Sequence, residues 1–254
     1  MYTPQQIREE IRSGNWTAPT SGACGDYLQA NLVVMPEQYA VDFERYAELN
    51  PKPCPVLEKL PAGSWRPKLA PEADIRTDLP GYRVYRDGRL TDQRESIEDL
   101  WEEDFVSFLI GCSFTFEDAL KADGIPLRHV EQKKNVAMYK TNIDTVPAGP
   151  FGGKMVVSMR PVHKDKVRQA EEVTSRYPKV HGGPVHAGDP SQIGITDLSN
   201  PDYGEAVTIG EDEVPVFWAC GVTPQEAILQ AKLPLVITHE PGHMFITDRK
   251  YEEL

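Results

Sequence analysis

The sequence is short of several things, and each shortage removes a class of protein. Only four Cys stand in 254 residues, at positions 24, 54, 112 and 220. No two form a C-x-x-C pair, and the gaps of 30, 58 and 108 between them match no zinc-ligand pattern. Free thiols of this kind suit a reducing compartment, so a cytoplasmic location is expected. No run approaches the ~20 apolar residues that a membrane-spanning helix needs. Residues 1–16 mix acidic and basic side chains with no apolar core, which does not read as a signal peptide. Cations are also scarce: 27 Lys and Arg face 39 Asp and Glu, for a net charge of −12 with His neutral. Nucleic acids and anionic membranes favour basic surfaces, so neither is expected as a partner. There is no G-x-S-x-G, no G-x-G-x-x-G and no phosphate loop. A nucleophile-elbow hydrolase and a nucleotide-binding fold therefore lack support, and no cofactor is expected.

What remains suits a globular enzyme. A chain of 254 residues buries roughly three-quarters of its unfolded surface and needs neither disulfide nor metal to fold. Proline is abundant, at 22 of 254 or about 9% against a usual ~5%, and it is scattered. Many short elements with firmly set turns should follow.

Thr3-Pro4-Gln5-Gln6 is a helix start, with Thr as cap, Pro in the first turn and Gln completing a capping box. Ile7 and Ile11 then share a face, and Gly14 stops the helix. A second helix is predicted over residues 36–49, with Tyr39, Phe43, Tyr46 and Ala47 as its stripe. Residues 51–71 hold six Pro and read as an extended strap. Residues 82–85 read as a strand ending at the Asp87-Gly88 turn. Ile97, Leu100, Trp101 and Phe105 suggest a helix; the apolar run 105–110 is either its end or a buried strand. Strands are predicted at 155–159 and 214–219, and a helix through Val167, Ala170, Val173 and Tyr177. The alternation predicts an α/β fold, a layered mixed sheet flanked by helices, with a smaller α+β portion.

Two segments match at an offset of 108. Cys112-Ser113-Phe114-Thr115-Phe116-Glu117-Asp118-Ala119-Leu120 faces Cys220-Gly221-Val222-Thr223-Pro224-Gln225-Glu226-Ala227-Ile228. Ile125-Pro126-Leu127 faces Leu233-Pro234-Leu235, and after a slip of two residues 138–142 face 244–248. Thr77-Asp78-Leu79 faces Thr196-Asp197-Leu198. An internal strand-loop-helix pseudo-repeat is the preferred reading. Thr115 and Thr223 are expected to cap their helices. The Cys112-Ser113 and Cys220-Gly221 loops sit where a strand gives way to a helix, where free N–H groups attract anions. Two such loops facing one cleft would suit a small substrate with two carboxylates.

Residues 181–190 carry His181, His186 and Asp189 on a loop with three Gly and two Pro. Three readings stay open: side chains that shape the loop, acid/base or substrate contact, and a His/His/Asp metal site whose spacing is not diagnostic. No metal is carried forward. His239-Glu240-Pro241-Gly242-His243 matches H-E-x-x-H, but Pro and Gly break the helix that zinc site requires, so a turn between two strands forming a hairpin is expected. Arg76 and Arg160 are cations in motif segments, suited to a carboxylate or to a structural ion pair. Thr141-Asn142 offers neutral donors.

Several long segments resemble a known family. They are Tyr39-Ala40-Val41-Asp42-Phe43, Asn50-Pro51-Lys52-Pro53-Cys54-Pro55, residues 74–85, 108–117 and 139–142 with Pro147-Ala148-Gly149, then 156–161, 181–190, 214–224 and 238–248. Together they look like the bacterial hydro-lyases, a family similar to a domain of mitochondrial D-glutamate cyclase. The resemblance runs from about residue 8 to 248. It implies an α/β fold and a lyase that removes water from a small acidic substrate, most concretely D-glutamate going to 5-oxo-D-proline. The rival is a non-catalytic binding protein for a small carboxylate. In the organisation expected here, residues 1–144 hold the first part of the core. Residues 145–189 form a connecting or smaller segment, and 190–254 complete the core. The residue roles come from the motifs themselves. His181 or His186 would be the base, Asp189 its orienter or the acid, and Asp78 a reserve acid. Arg76 or Arg160 would hold a carboxylate, and Cys112, Ser113, Asn142, Cys220, Gly221 and Thr223 would contact substrate. A homodimer is the default assembly.

Overall fold

A computed structural model describes residues 2–253. Helix α1 (Pro4–Arg12) begins with the expected capping box: the Gln6 N–H donates to Thr3 Oγ1 at 3.2 Å, and the Thr3 N–H to Gln6 Oε1 at 3.0 Å. Strand β1 (Tyr27–Pro36) leads directly into α2 (Glu37–Leu49). Strand β2 (Val56–Leu60) lies within the proline-rich strap, and β3 (Tyr82–Arg86) and β4 (Arg89–Arg94) form a hairpin. Asp87 and Gly88 take positive φ of 50° and 75° at its tip, as a tight two-residue turn requires.

The helix expected through Ile97 and Phe105 is not formed. Only a single turn, Glu98–Leu100, is helical, and Phe105–Gly111 is strand β5 with every residue buried. Its apolar run is continuous because both faces are covered. Phe105 and Leu109 join one core cluster, and Val106, Phe108 and Ile110 another.

The chain continues through α3 (Glu117–Ala122), α4 (Arg128–Glu131), β6 (Ala137–Asp144), β7 (Lys154–His163), α5 (Val167–Thr174) and β8 (His186–Ala187). It ends with β9 (Glu213–Ala219), α6 (Thr223–Ala231), β10 (Val236–His239) and β11 (Phe245–Lys250). The fold is α/β, with sheets flanked by helices. Instead of one mixed sheet there are two, ordered β2-β5-β1-β10-β3-β4 with β11 also on β1, and β6-β7-β9-β8. Every pairing among the described strands is antiparallel. The helices cover sheet faces without serving as crossovers between parallel neighbours. Helices α2 and α6 pack on the large sheet, and α3 and α5 on the small one.

The pseudo-repeat is written into the strand registers. Strand β1 pairs β5 from Ala30↔Gly111 to Pro36↔Phe105, and β7 pairs β9 from Val157↔Ala219 to His163↔Glu213. Adding 127 to the first strand and 108 to the second converts one ladder into the other. The third strand of each unit is exchanged. Strand β6 follows the first unit's helix but pairs β7 of the second, with Lys140 opposite Val156. Strand β11 follows the second unit's helix but pairs β1 of the first, with Ile246 opposite Gln29. These pairs are equivalent under the 106-residue offset seen in the sequence. The 77–79 and 196–198 match lies outside any strand and takes no part in this register.

Two local expectations are corrected. Thr115 and Thr223 do not cap helices. Thr115 Oγ1 accepts the Gln29 N–H at 3.1 Å, and Thr223 Oγ1 accepts the Val156 N–H at 3.0 Å. Each hydroxyl satisfies a strand N–H just past the end of its ladder, which a helix cap would leave bare. The second correction concerns residues 236–250, which are not a hairpin. Both β10 and β11 run antiparallel along β1, β10 at Val33 and Val34 and β11 at Tyr27, Gln29 and Ala30. Residues 240–244 bulge out between them. His239 Nδ1 fills the gap by accepting the Leu32 N–H at 3.2 Å, so this His completes a ladder and belongs to no zinc helix.

Candidate functional site

The two repeat loops meet where the sheets join. Cys112 and Cys220 share one apolar cluster with Phe114, Val136, Met138, Val156, Val222 and Met244. The loops are built alike. Cys112 N donates to Gln29 O at 3.0 Å, and Cys220 N to Val156 O at 3.0 Å. The Phe114 N–H faces the Cys112 sulfur and the Val222 N–H faces the Cys220 sulfur. Burial raises both thiols, Cys220 to about 11, and those N–H groups only partly oppose it. Gly221 is required for this approach, because a Cβ there would collide with the Asn31 side chain. Asn31 reaches the site from β1, donating from Nδ2 to Gly111 O at 2.9 Å and Ile110 O at 3.2 Å.

Behind the Cys112 loop lies a sealed ionic cluster. Arg160, on β7 and 1% exposed, donates from Nη2 to Glu117 Oε1 at 2.6 Å and to Ser113 Oγ at 3.1 Å, and from Nη1 to Ser158 Oγ at 3.1 Å. Its guanidinium lies 5.5 Å from the ring centres of Phe116 and Trp218. On the other side of Glu117, His129 Nε2 lies 3.0 Å from Oε1, and Ser21 Oγ donates to Oε2 at 2.6 Å. Burial alone would raise the Glu117 carboxyl, but His129, Arg160 and Ser21 overcome it and hold the group at about 2. A carboxylate this deep survives because each oxygen is hydrogen-bonded and a cation sits beside it.

His181 joins this assembly from the other side. It is 1% exposed and lies in the left-handed region at φ +81°. Nδ1 donates to the Lys52 carbonyl at 2.8 Å, which leaves the Nε2 lone pair buried and without a partner. Burial lowers its basicity to about 4, and Arg160 adds to the effect against the favourable pull of the Lys52 and Gly111 backbone carbonyls. The ring is therefore neutral at pH 7.

Of the sequence-predicted residues, the structure gathers Cys112, Ser113, Arg160, His181, Cys220, Gly221 and Thr223. It leaves five others apart. Asp78 is fully buried beneath α1, where Arg12 holds it at 2.7 and 3.0 Å. Arg76 pairs with Asp74 at 2.6 Å and lies 4.2 Å from the Trp65 ring centre. His186 Nε2 contacts the Asp189 carbonyl at 2.8 Å, while the Asp189 carboxylate accepts the Ser191 N–H at 3.0 Å. Asn142 is exposed at the far end of β6, against Gly194. Sequence reasoning missed Asn31, Ser158, His129 and Glu117. Only Glu117 carried a signal, being a charge inside the repeat opposite the neutral Gln225.

Two sizeable clefts lie elsewhere. One of about 640 Å³ lies against the β3–β4 hairpin between Gln93, Arg94 and Glu240, and one of about 480 Å³ lies beside Arg12 and Arg66. Neither is lined by the loop residues. We place the site at the junction because the buried ionisable groups converge there, and size alone carries no chemistry.

Comparison with known proteins bears on the same segments. A family model described as D-glutamate cyclase matches residues 106–248. The chain is 57% identical to a Bacillus subtilis (strain 168) protein named "Putative hydro-lyase YcsI", over 99% of this chain and 98% of that one. It is 57% identical to a "Putative hydro-lyase" of Geobacillus kaustophilus, over 98% of this chain and 95% of the relative. A Burkholderia multivorans protein of the same description is 55% identical over 97% and 95%. Among solved structures, a nitrogen repressor-like protein from Methanococcus jannaschii aligns over 99% of both chains at 11% identity and a TM-score of 0.41.

Proposed function

Because the chain belongs to the D-glutamate cyclase family, whose members named above are called hydro-lyases, we propose that it is a carbon–oxygen lyase acting on a small acidic substrate, with D-glutamate going to 5-oxo-D-proline and water as the concrete reaction. The observation that carries this reading is His181 Nε2, a buried lone pair without a partner beside the Arg160 and Cys112-Ser113 assembly.

The reaction needs a base, donors for a developing oxyanion and a proton for the leaving oxygen. The amine nitrogen bonds to the side-chain carboxyl carbon, and one of its oxygens leaves as water. Two protons pass from nitrogen to that oxygen, with none gained or lost overall. His181 is suited to carry them, because it is neutral at pH 7 and its open nitrogen is Nε2. The loop N–H groups of Phe114 and Val222 and the Ser113 hydroxyl are the donors nearest the junction, and Arg160 supplies positive potential behind them. The thiols are too weakly acidic to serve as thiolates, so no covalent step is assigned to them. His186, held by the Asp189 carbonyl, takes no role in this reading.

The test is direct. Carbon-13 NMR of the protein incubated with D-glutamate, and separately with 5-oxo-D-proline, should show approach to one equilibrium mixture from both sides. His181→Gln should abolish it. Saturable binding without turnover over hours would instead make the protein a carboxylate-binding protein and overturn the lyase reading.

A further inference from the structure

The strap at residues 50–55 takes no part in the chemistry above, yet it touches the side chain assigned there as the base. We infer that Asn50-Pro51-Lys52-Pro53 is a positioning device for His181, with Asn50 as the residue that holds it, setting the ring's tautomer and aiming Nε2 at the junction. The inference rests on the reading of His181 as the base.

Three observations converge. The first is the bond itself. The Lys52 carbonyl takes the Nδ1 proton at 2.8 Å, and in a neutral imidazole that forces the lone pair onto Nε2. A free imidazole ring has no such constraint.

The second is how that carbonyl is held. Lys52 lies between two prolines in the turn over residues 51–53, where the flanking rings leave its backbone few conformations and so restrict the direction of its carbonyl. Asn50 then ties the strap down on two sides. Its Nδ2 donates to Tyr46 O at 2.8 Å and to Val146 O at 2.8 Å, and its Oδ1 accepts the Val146 N–H at 2.8 Å. Its own carbonyl accepts the Cys54 N–H at 3.0 Å, closing the turn around Lys52. The side chain is 7% exposed, so these bonds are shielded from water.

The third is the opposite jaw. Gly111 ends β5 just before Cys112, and a Cβ there would collide with the Lys179 carbonyl and touch Val180. The turn carrying His181 reaches the junction only because this residue is Gly. Its counterpart in the second repeat, Ala219, has a Cβ, so the device exists in one half of the duplicated fold only. His181 also adopts φ +81°, a conformation a non-glycine residue keeps only when its surroundings impose it.

The experiment reads the tautomer independently of activity. The full chain is labelled with nitrogen-15 histidine, and His181 is assigned among the six His by the loss of its signals in His181→Gln. The wild-type ring should show a single Nδ1–H pattern down to about pH 4. Asn50→Ala should convert it to a mixture of tautomers and lower kcat up to about 100-fold with KM little changed, as a misaimed base would. An unchanged Nδ1–H pattern in Asn50→Ala, or an Nε2–H pattern in the wild type, overturns the inference. If Asn50→Ala does not fold, Pro53→Gly makes the same measurement, because it frees the Lys52 carbonyl and leaves every Asn50 bond in place. A wild-type protein inert toward D-glutamate would sink the functional reading while leaving the tautomer result to stand or fall alone.

Discussion

Glu117 and Gln225 occupy equivalent places in the two repeats, 108 residues apart, the first a buried carboxylate and the second a buried amide. Their partners differ in step. Glu117 holds Arg160, whose counterpart under the 127-residue offset is Val33. Gln225 donates to the His239 carbonyl at 3.0 Å and needs no cation. The two junction loops are built alike, and only the first carries a buried charge pair.

That asymmetry predicts a double-mutant result. Glu117→Gln leaves the Arg160 guanidinium buried without its counter-charge and should cost about 3–5 kcal/mol. Arg160→Val removes one of the two cationic partners of Glu117 and leaves it with His129 and Ser21, so it should destabilise as well, by less. Together they rebuild the pair found in the second repeat, so the double variant should be more stable than the sum of the singles by at least about 1 kcal/mol. Urea denaturation of the four proteins checks this. Simple additivity would show that the two side chains are not energetically coupled.

Stability should fall on mild acidification. In the unfolded chain the imidazoles of His181 and His239 take a proton near 6.5, whereas burial in the fold holds them to about 4 and about 3. Between those values the unfolded chain binds more protons, so this contribution is complete above pH 6.5 and is lost as pH drops. Two imidazoles give a slope of about 2–3 kcal/mol per pH unit over that window. Glu117 acts in the same direction lower down: its carboxylate contribution is full above its ordinary 4.5 and fades as pH falls toward about 2. Unfolding free energies at pH 7, 6 and 5 test the first part, and a flat profile would refute it.

How much of this was legible in the sequence depends on range. The Thr3 capping box, α2, the Asp87-Gly88 turn and the repeat offset are local patterns, and all four are present in the structure. Strand β5 was ambiguous because a strand covered on both faces loses its alternation. The two threonines mislead because Thr followed three residues later by Asp or Glu, as in Thr115 with Asp118 and Thr223 with Glu226, looks like a capping box whatever the hydroxyl meets, and here it meets a strand more than sixty residues away. Residues 236–250 were misread for a similar reason, since a Pro-Gly turn between strands looks like a hairpin unless a third strand lies beside both. The site was half legible. Cys112, Ser113, Cys220 and Gly221 announced themselves by repetition, but His129, Asn31 and Ser158 enter from other elements with no local mark.

Gly221 should be intolerant of a methyl group, and the structure says what would relieve it. A Cβ at 221 collides with the Asn31 side chain. Gly221→Ala should therefore destabilise by about 1–3 kcal/mol through overpacking. In the other repeat the equivalent positions are Ser113 and Ser158, so a shorter side chain at 31 accommodates a Cβ at 221. Asn31→Ser added to Gly221→Ala should recover part of the loss, read as a partial return of Tm. If Asn31→Ser made matters worse by its full single-mutant cost, the clash would not be what limits this position.

The thiols give the last test. All four Cys are buried, and burial pushes every one of them up, Cys24 and Cys220 to about 11 and Cys54 and Cys112 further. A thiol that high is almost wholly protonated at pH 7.5, and the thiolate is the species that alkylates. The native protein should therefore resist iodoacetamide at pH 7.5, with all four sites modified only after unfolding, as counted by mass spectrometry. Cys220→Ser should keep its activity, since no covalent step runs through the sulfur. Rapid, selective modification of Cys112 or Cys220 in the native state would mean that the junction holds a thiolate, and the chemistry assigned to His181 would have to be shared with it.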